Sequence, residues 1–448
     1  MSINNFVVFI LSMCLSPLIF ANEKISLDQV VDVVSERNYQ VLESAEKVYQ
    51  SRAEIAVARG NLIPKLNFWT IIKTIINPAS LIDSLLSGDS GIAPFMVPNN
   101  WFRLKESQIL FDAEREAYRG VWSNEVMNAK SLYVNLLLDQ ELYLLINRHV
   151  DEVEKVYKIA KTKEALGSIP VGLAQELEIR WLKLQDDKNV LEKLLVDEYQ
   201  SLTYALGLPF SDKITIENID VPDIKNLEPL IYSDFEFRAI DSSPEKRQLN
   251  HLLRVIPYLK KEVRYSFFGN SRASRGVSGG IFDGLPIPDG FGVGNGASIS
   301  VIEGTENIFK LQRAGVIETI KRQLNSVINT YNSSIERYGN LERRLELADS
   351  RLKQYLGRMQ IGENIDLLDL TDAYHRSVFE KMNLFTLSYN FVVNKDKFHR
   401  LIIHGDYKKS KDSLKKIDEE RKVYFEEQER LKALEEKQRR NKDKRRRP

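Results

Sequence analysis

Two very long segments with helical hydrophobic spacing and no proline, at about residues 112–165 and 305–358, most constrain the fold of this chain. At about 1.5 Å per residue, each helix would be roughly 80 Å long, far longer than the helices of a compact core. Glycines interrupt each segment, and a second helical segment follows, at about 173–206 and 367–403. Such helices suit an elongated coiled-coil bundle in which shorter helices cover the apolar stripe of the long ones.

The order of the predicted elements occurs twice along the chain. Helical patterns at 27–60 and 235–260 each precede two strand-like runs around a loop, then the long helix, the glycine interruption and the shorter helix. The strand-like runs are "KLNFWTIIKTII" and "NWFRLKESQILF" in the first half, and "EVRYSFFG" and "GASISVI" in the second. A period of about 200 residues is too long for a solenoid and indicates a duplicated, domain-sized unit.

The N-terminus predicts export. The apolar run "FVVFILSMCLSPLIFA" ends at a small residue, Ala21, as expected for a secretory signal peptide over 1–21. Cys14, the only cysteine, lies within this run, so the mature chain would have neither a disulfide nor a thiolate. No later segment offers about 18 uninterrupted apolar residues, so contact with a membrane would be through a β-barrel or peripheral.

These features divide the chain into five segments: a signal peptide (1–21), a first repeat (22–209), a linker (210–234), a second repeat (235–407) and a charged C-terminal tail (408–448). The tail contains 17 basic and 10 acidic residues in helical spacing and ends in a basic cluster. One interpretation is contact with anionic envelope polymers, partner proteins or lipid; the other is a solvated, partly disordered helix. We expect no nucleic-acid partner for an exported protein, despite the basic cluster.

Catalytic and metal-binding patterns are absent from the sequence. No two of the five histidines are four residues apart, and no HExxH occurs, so we expect no metal site. The glycine-rich "GFGVGNGAS" (290–298) has neither the GxGxxG nor the GK[ST] phosphate-binding pattern, and no GxSxG nucleophile elbow is present. We therefore expect no enzymatic activity and no cofactor.

From about Ile25 to Gly405, the chain resembles the TolC family of outer-membrane channel proteins. The segment "ISLDQVVDVVSERNYQVLESAEKVYQSRAEIAVARGNLIPKLNFW" follows the family's opening pattern of a Leu-rich start, an Asn within the helix, spaced alanines and a "P-x-L" before a strand. "SSPEKRQL" resembles the start of the second repeat, "QILFDAEREAYRG" the segment that leads into the long helix, and "RMQIGENIDLLDLTDA" the helix–helix turn. The order of these motifs, present twice, makes the resemblance specific.

This resemblance implies a mainly α fold, with duplicated long coiled-coil α-hairpins that form an α-barrel and a small β-barrel portion with two strands per repeat. It implies a homotrimer in the outer membrane of a Gram-negative cell, in contact with outer-membrane lipid and with a large periplasmic part. The implied function is the passive exit duct of a tripartite efflux pump or type I secretion system, with a periplasmic adaptor protein and an inner-membrane transporter as partners. The alternative is a periplasmic coiled-coil scaffold that retains the helical plan without a membrane-inserted barrel.

The resemblance also assigns a candidate site. In the family, the glycine interruptions are coiled-coil tips at the periplasmic entrance, where the adaptor docks. The matching glycines here are Gly167, Gly172 and Gly362. Residues that would line the entrance constriction are Asp366, Asp369 and Asp372. Asp369 and Asp372 are three residues apart, on one helix face, and in a trimer their six carboxylates would attract cations and repel anions. The other interpretation is three solvated aspartates that favour the N-terminus of a helix.

Overall fold

The computed structural model describes residues 24–63, 94–210, 214–266, 285, 294–361, 363 and 365–445. Three predictions lie outside these residues: the signal peptide with Cys14, the strand-like run "KLNFWTIIKTII" and the turn residue Gly362.

Helices contain almost all of the described residues. In chain order they are α1 (Leu27–Arg37), α2 (Tyr39–Gly60), α3 (Pro98–Ala165), α4 (Leu173–Ala205), α5 (Tyr232–Ser242), α6 (Pro244–Arg264), α7 (Asn295–Gln360), α8 (Leu367–Leu401) and α9 (Ser410–Arg445). Short 3₁₀ helices lie at Pro94–Met96, Ile224–Asn226 and Gly405–Lys409, and two-residue strands β1 (Lys24–Ile25) and β2 (Thr215–Ile216) pair in parallel. The two long helices and their shorter partners are therefore confirmed.

Three of the predicted strands are helical where the structure describes them, and the prediction is wrong there. Residues 262–264 of "EVRYSFFG" (262–269) form the end of α6, and 267–269 lie outside the described residues. "NWFRLKESQILF" (100–111) lies in the first turns of α3, and "GASISVI" (296–302) lies in the first turns of α7. Ile109 of the first segment and Ile302 of the second belong to one buried cluster with a row of α6 residues, Leu252, Val255, Ile256, Leu259 and Val263. Packing at helical spacing against α6 therefore outweighs the β propensity of the branched and aromatic side chains.

The structure separates into two compact units, each built from both halves of the sequence. Unit 1 comprises the described residues within 1–38, 125–230 and 330–396. Unit 2 comprises those within 39–124, 231–329 and 397–448. The repeat boundaries given above follow the chain and remain a prediction.

In unit 1, hydrogen bonds fix the start of the chain and the connector after α4. The hydroxyl of Tyr133, on α3, lies 2.7 Å from the carbonyl oxygens of both Ile25 and Glu217 and accepts the Glu217 N–H at 2.9 Å. Further along the connector, the Asn332 side chain of α7 binds both backbone groups of Leu230, at 2.8 and 2.9 Å. The polar connector at 210–234 is thus attached to both long helices of the unit.

The end of α4 packs closely on the junction between α1 and α2. Asn38 at this junction is buried, and its Nδ2 donates to the Ala205 carbonyl at 2.8 Å. Gly207 follows α4 with φ of +68°. Its N–H donates to the Tyr204 carbonyl at 2.9 Å, and the next N–H, of Leu208, donates to the Thr203 carbonyl at 3.1 Å. This is a Schellman ending, which satisfies the last carbonyls of the helix and uses glycine for the left-handed residue.

Two carboxyl groups in unit 1, Asp139 of α3 and Glu198 of α4, are close enough for each to influence the pKa of the other. Burial, followed by the charge of Asp139, raises the pKa of Glu198 to about 8. The pKa of Glu198 is higher in the folded protein than in the unfolded chain, so the protonated side chain favours the folded state. This contribution to the free energy of unfolding is complete below about pH 4.5 and is lost as the pH rises through about 8. We therefore expect the thermal unfolding midpoint of Glu198→Gln to rise relative to that of the wild type as the pH increases over this range.

The matched control for this pH series is Glu192→Gln, which neutralises an exposed carboxylate on the same helix. Unfolding followed by circular dichroism at several pH values should give the control the wild-type slope. A wild-type slope in Glu198→Gln would contradict the raised pKa of Glu198.

Candidate functional site at the hairpin turns

The first hairpin turn of unit 1 joins α3 to α4 through residues 166–172. Gly167 and Gly172 both have left-handed backbone angles, with φ of +67° and +97°. Glu164 closes the turn, because its carboxylate accepts the N–H of Gly172 at 3.0 Å and that of Ala174 at 2.8 Å. These two hydrogen bonds lower the pKa of Glu164, so it is a carboxylate that caps the N-terminus of α4. The sequence interpretation missed Glu164, although an acidic residue just before a glycine turn is a usable signal.

The second hairpin turn joins α7 to α8. Arg358, in the last turn of α7, forms an ion pair with Glu363, and its Nε donates to Oε2 at 2.7 Å. Asp366 directly precedes α8, and its Oδ1 accepts the Leu368 N–H at 2.9 Å. Asp366 therefore caps the N-terminus of α8.

A shared hydrophobic cluster holds both turns in the same part of unit 1. It contains buried residues of α3, α4 and α8, namely Val156, Ala160, Ala174, Leu177, Leu367 and Leu370. Partly buried residues of both turns, Ile169 and Ile365, pack against it. Three apolar side chains at the turns nevertheless remain in solvent, since Leu166 is 74% exposed, Val171 93% and Ile361 81%.

Asp369 and Asp372 are both exposed on the first turns of α8. Asp372 forms an ion pair with Arg180 of α4, with its Oδ1 2.5 Å from Nη1. The same arginine binds Glu176 through Nε at 3.2 Å. Arg180 therefore lies between two carboxylates and offsets part of the negative charge that the two aspartates would otherwise present.

The charges of the two aspartates also act on a second arginine, Arg351 of α7. Its pKa is raised mainly by the hydroxyl of Tyr355, and the charges of Asp369 and Asp372 contribute. Sequence reasoning missed both arginines, because neither Arg180 nor Arg351 forms a local pattern with residues of α8. The site therefore combines two aspartates with Arg180, which pairs with Asp372.

Further along α8, Tyr374 and His375 contact a buried histidine of α3. The ring centroid of His149 lies 5.7 Å from that of His375 and 6.3 Å from that of Tyr374. Burial, followed by the charge of His375, lowers the pKa of His149 to about 4, so the ring is neutral near pH 7. His149 thus packs as an apolar ring between helices.

Two further properties concern only the part of the chain that the structure describes. No group of three or more His, Cys, Asp or Glu side chains there is placed to hold a metal ion. None of the helices in the same ranges combines the length and the apolar character that a membrane span requires.

Solved structures of bacterial membrane proteins, several of them outer-membrane channels, share the architecture described above. A membrane protein from Pseudomonas aeruginosa matches 85% of this chain and 91% of its own, with 16% identity and a TM-score of 0.65. The CmeC outer membrane channel of Campylobacter jejuni matches 87% of this chain and 89% of its own, with 14% identity and a TM-score of 0.65. The open state of the Neisseria gonorrhoeae MtrE outer membrane channel matches 85% of this chain and 89% of its own, with 14% identity and a TM-score of 0.62. The chain has the fold of these outer-membrane channels.

This channel fold confirms the mainly α, TolC-like fold class predicted from the sequence. No family model and no curated protein sequence matches the chain, so the likeness rests on structure. A shared fold does not by itself assign a function.

Proposed function

We propose that this protein is a passive outer-membrane channel that conducts solutes from the periplasm to the exterior as a homotrimer. A periplasmic adaptor and an inner-membrane transporter would deliver the solutes, as in a tripartite efflux pump or type I secretion system. The observation that most supports this proposal is the likeness to solved outer-membrane channels over 85% or more of the chain.

Exposed apolar side chains on the long helices support assembly from several copies. Residues of α4 and α7 that are each more than half exposed are Ile179, Val190, Val196, Ile308, Leu311 and Leu347. Repeated exposure of this kind on a helical bundle marks a protein–protein contact. Further copies of the same chain, arranged by rotational symmetry, would bury these side chains at every interface.

The hairpin turns are the proposed contact with the adaptor. Leu166, Val171 and Ile361 offer apolar area that a partner can bury, and the Glu164 hydrogen bonds fix the shape of the first turn. Gly167, Gly172 and Gly362 would shape these contacts. The proposed entrance residues are Asp369 and Asp372, with Asp366 fixing the start of their helix.

The helical state of 100–111 and 296–302 favours a second candidate, a periplasmic coiled-coil scaffold. Both segments were predicted as strands, and a chain that keeps them helical has fewer residues available to pair in a barrel. This candidate predicts a soluble protein without conductance.

Fractionation of the bacterial envelope, combined with bilayer recordings, separates the two candidates. If the protein is a channel, it is found in the outer membrane and migrates on gels as a trimer that dissociates to monomers on heating. It also forms discrete conductance steps in planar bilayers. A soluble monomer that leaves bilayers silent would overturn the channel and support the scaffold.

A further inference from the structure

A buried histidine joins the two helical hairpins of unit 1. His149 lies on α3, in the first hairpin, and is only 3% exposed. Its ring packs on the rings of Tyr374 and His375 of α8, in the second hairpin, at centroid distances of 6.3 and 5.7 Å. The ring of Phe379 extends this row, 6.3 Å from that of His375. The two hairpins therefore meet here through a row of aromatic rings.

Neither ring nitrogen of His149 has a hydrogen-bond partner among the described residues. A neutral imidazole carries one donor and one acceptor, and buried groups of this kind are normally bonded. Protonation raises the cost, because an imidazolium has two N–H donors and a charge, and burial leaves all of them uncompensated. The ring can therefore hold a proton at low cost only where it reaches water, which requires α8 to move away from α3.

Charged groups on α3 and α8 do not offset a proton on His149. Glu152, three residues further along α3, binds Lys155 at 2.7 Å and lies 3.5 Å from the Tyr374 hydroxyl. On α8, a protonated His375 adds a like charge 5.7 Å away, between ring centroids. The other charged neighbours along these two helices are exposed, namely Arg148, Asp151 and Arg376.

Charged groups of α4 and α7 at neighbouring levels have other partners. Lys188 of α4 lies over the ring of Tyr143, 5.9 Å from its centroid. Asp349 of α7 accepts the hydroxyl of Ser377, and Glu380 of α8 pairs with an arginine of α7, Arg344. Among the described residues, the charge that acts on the pKa of His149 is that of His375, which lowers it.

We propose that the contact of His149 with Tyr374 and His375 is an acid-released latch between the two hairpins of unit 1. The proposal goes beyond the proposed function, because it concerns contacts within one unit and holds for a channel and for a scaffold alike. Acid protonates the ring, and α8 separates from α3 at this level so that water reaches it. The second hairpin, which carries Asp369 and Asp372, then moves relative to the first.

The direction of the pH dependence follows from the state of the buried ring. Burial, followed by the charge of His375, lowers the pKa of His149 to about 4, whereas a solvated imidazole has a pKa of about 6.5. The neutral ring therefore stabilises the closed contact fully above about pH 6.5, and this stabilisation is lost as the pH falls through about 4. Together these values predict that the ratio of released to closed protein rises about 100-fold between pH 7 and pH 4.

The reactivity of a single thiol measures the released population. Thr371 is buried on α8, one turn before Tyr374 and His375 and on the same face, and Thr371→Cys hardly changes the size of the side chain. The mature chain is expected to have no other cysteine. Modification of the full-length protein by dithiodipyridine, which reacts with thiols in acid, tracks the released population when release is faster than modification.

A non-titrating variant provides the reference for this measurement. His149→Phe keeps an apolar ring in the row but cannot take a proton, and His149→Leu serves the same purpose without a ring. The modification rate with His149, divided by the rate with either variant at the same pH, should rise about 100-fold between pH 7 and pH 4. A rise of less than about tenfold would overturn the proposal.

Two controls test whether the effect belongs to the latch. His404→Gln removes an exposed histidine of unit 2 and should keep the full rise, so its loss there would overturn the proposal. Ser334→Cys places the thiol at a buried position on α7, about 22 Å along the helix from Asp349, and should stay unreactive at pH 4. Equal reaction at both thiols would mean that acid unfolds the whole unit and would refute the latch.

The thiol assay and bilayer recordings fail independently of each other. A protein that shows the acid effect but never conducts supports the latch and refutes the channel. A conducting protein whose thiol reacts at the same relative rate at every pH refutes the latch alone.

Discussion

Replacing Gly207 by alanine is expected to lower the free energy of unfolding by about 3 kcal/mol. Two causes add at this position. The φ of +68° is a left-handed conformation, which costs a residue with a Cβ about 1 kcal/mol. The added Cβ would also overlap the carbonyl oxygen of Arg37 and lie 2.9 Å from the amide nitrogen of Asn38, both backbone atoms that have little room to move. Overpacking of this kind typically costs a further 1–3 kcal/mol, roughly.

The matched control is Gly339→Ala, the same substitution inside α7. An added Cβ at Gly339 meets nothing within 4 Å, so the variant should gain up to about 1 kcal/mol from helix propensity. Denaturant unfolding of both variants, followed by circular dichroism, should therefore move the midpoint in opposite directions. If Gly207→Ala unfolds at the wild-type midpoint, the close packing of the α4 ending on the α1–α2 junction is wrong.

The C-terminal ends of the helices were the most predictable part of this fold, because they depend on local chemistry. The "GLP" at 207–209 predicted the end of α4, and the structure ends that helix at Ala205 with a Schellman motif. Long proline-free segments with three- and four-residue apolar spacing likewise predicted α3 and α7. Each of these signals lies within a few residues of the feature that it predicts.

Features that depend on distant residues were not predictable in the same way. The branched and aromatic side chains of 100–111 favour a strand locally, and only the partner row on α6 makes the segment helical. Arg180 and Asp372 are 192 residues apart, so no local pattern joins them. The sequence therefore predicted the aspartates of the candidate site but not the arginines that offset them.

Under the proposed function, replacing the aspartates and replacing Arg180 should change the ion selectivity of the channel in opposite directions. Asp369→Asn/Asp372→Asn removes up to six carboxylates from a trimer. The ratio of cation to anion permeability should therefore fall severalfold, towards a channel without selectivity. Arg180→Gln removes up to three cations that lie beside Asp372 and Glu176 and should increase cation selectivity. Reversal potentials in a potassium chloride gradient measure both shifts.

Folding should be little affected by either change, since the Asp372 and Arg180 side chains are 61% and 34% exposed and an exposed ion pair contributes at most about 1 kcal/mol. The matched control, Asp186→Asn/Asp187→Asn, removes the same charge from exposed positions on α4. An equal shift in this control would attribute selectivity to the total charge of the tube. Opposite shifts at Asp372 and Arg180 would instead require that ions pass close to their shared ion pair, because a distant pair would be screened beyond about 10 Å.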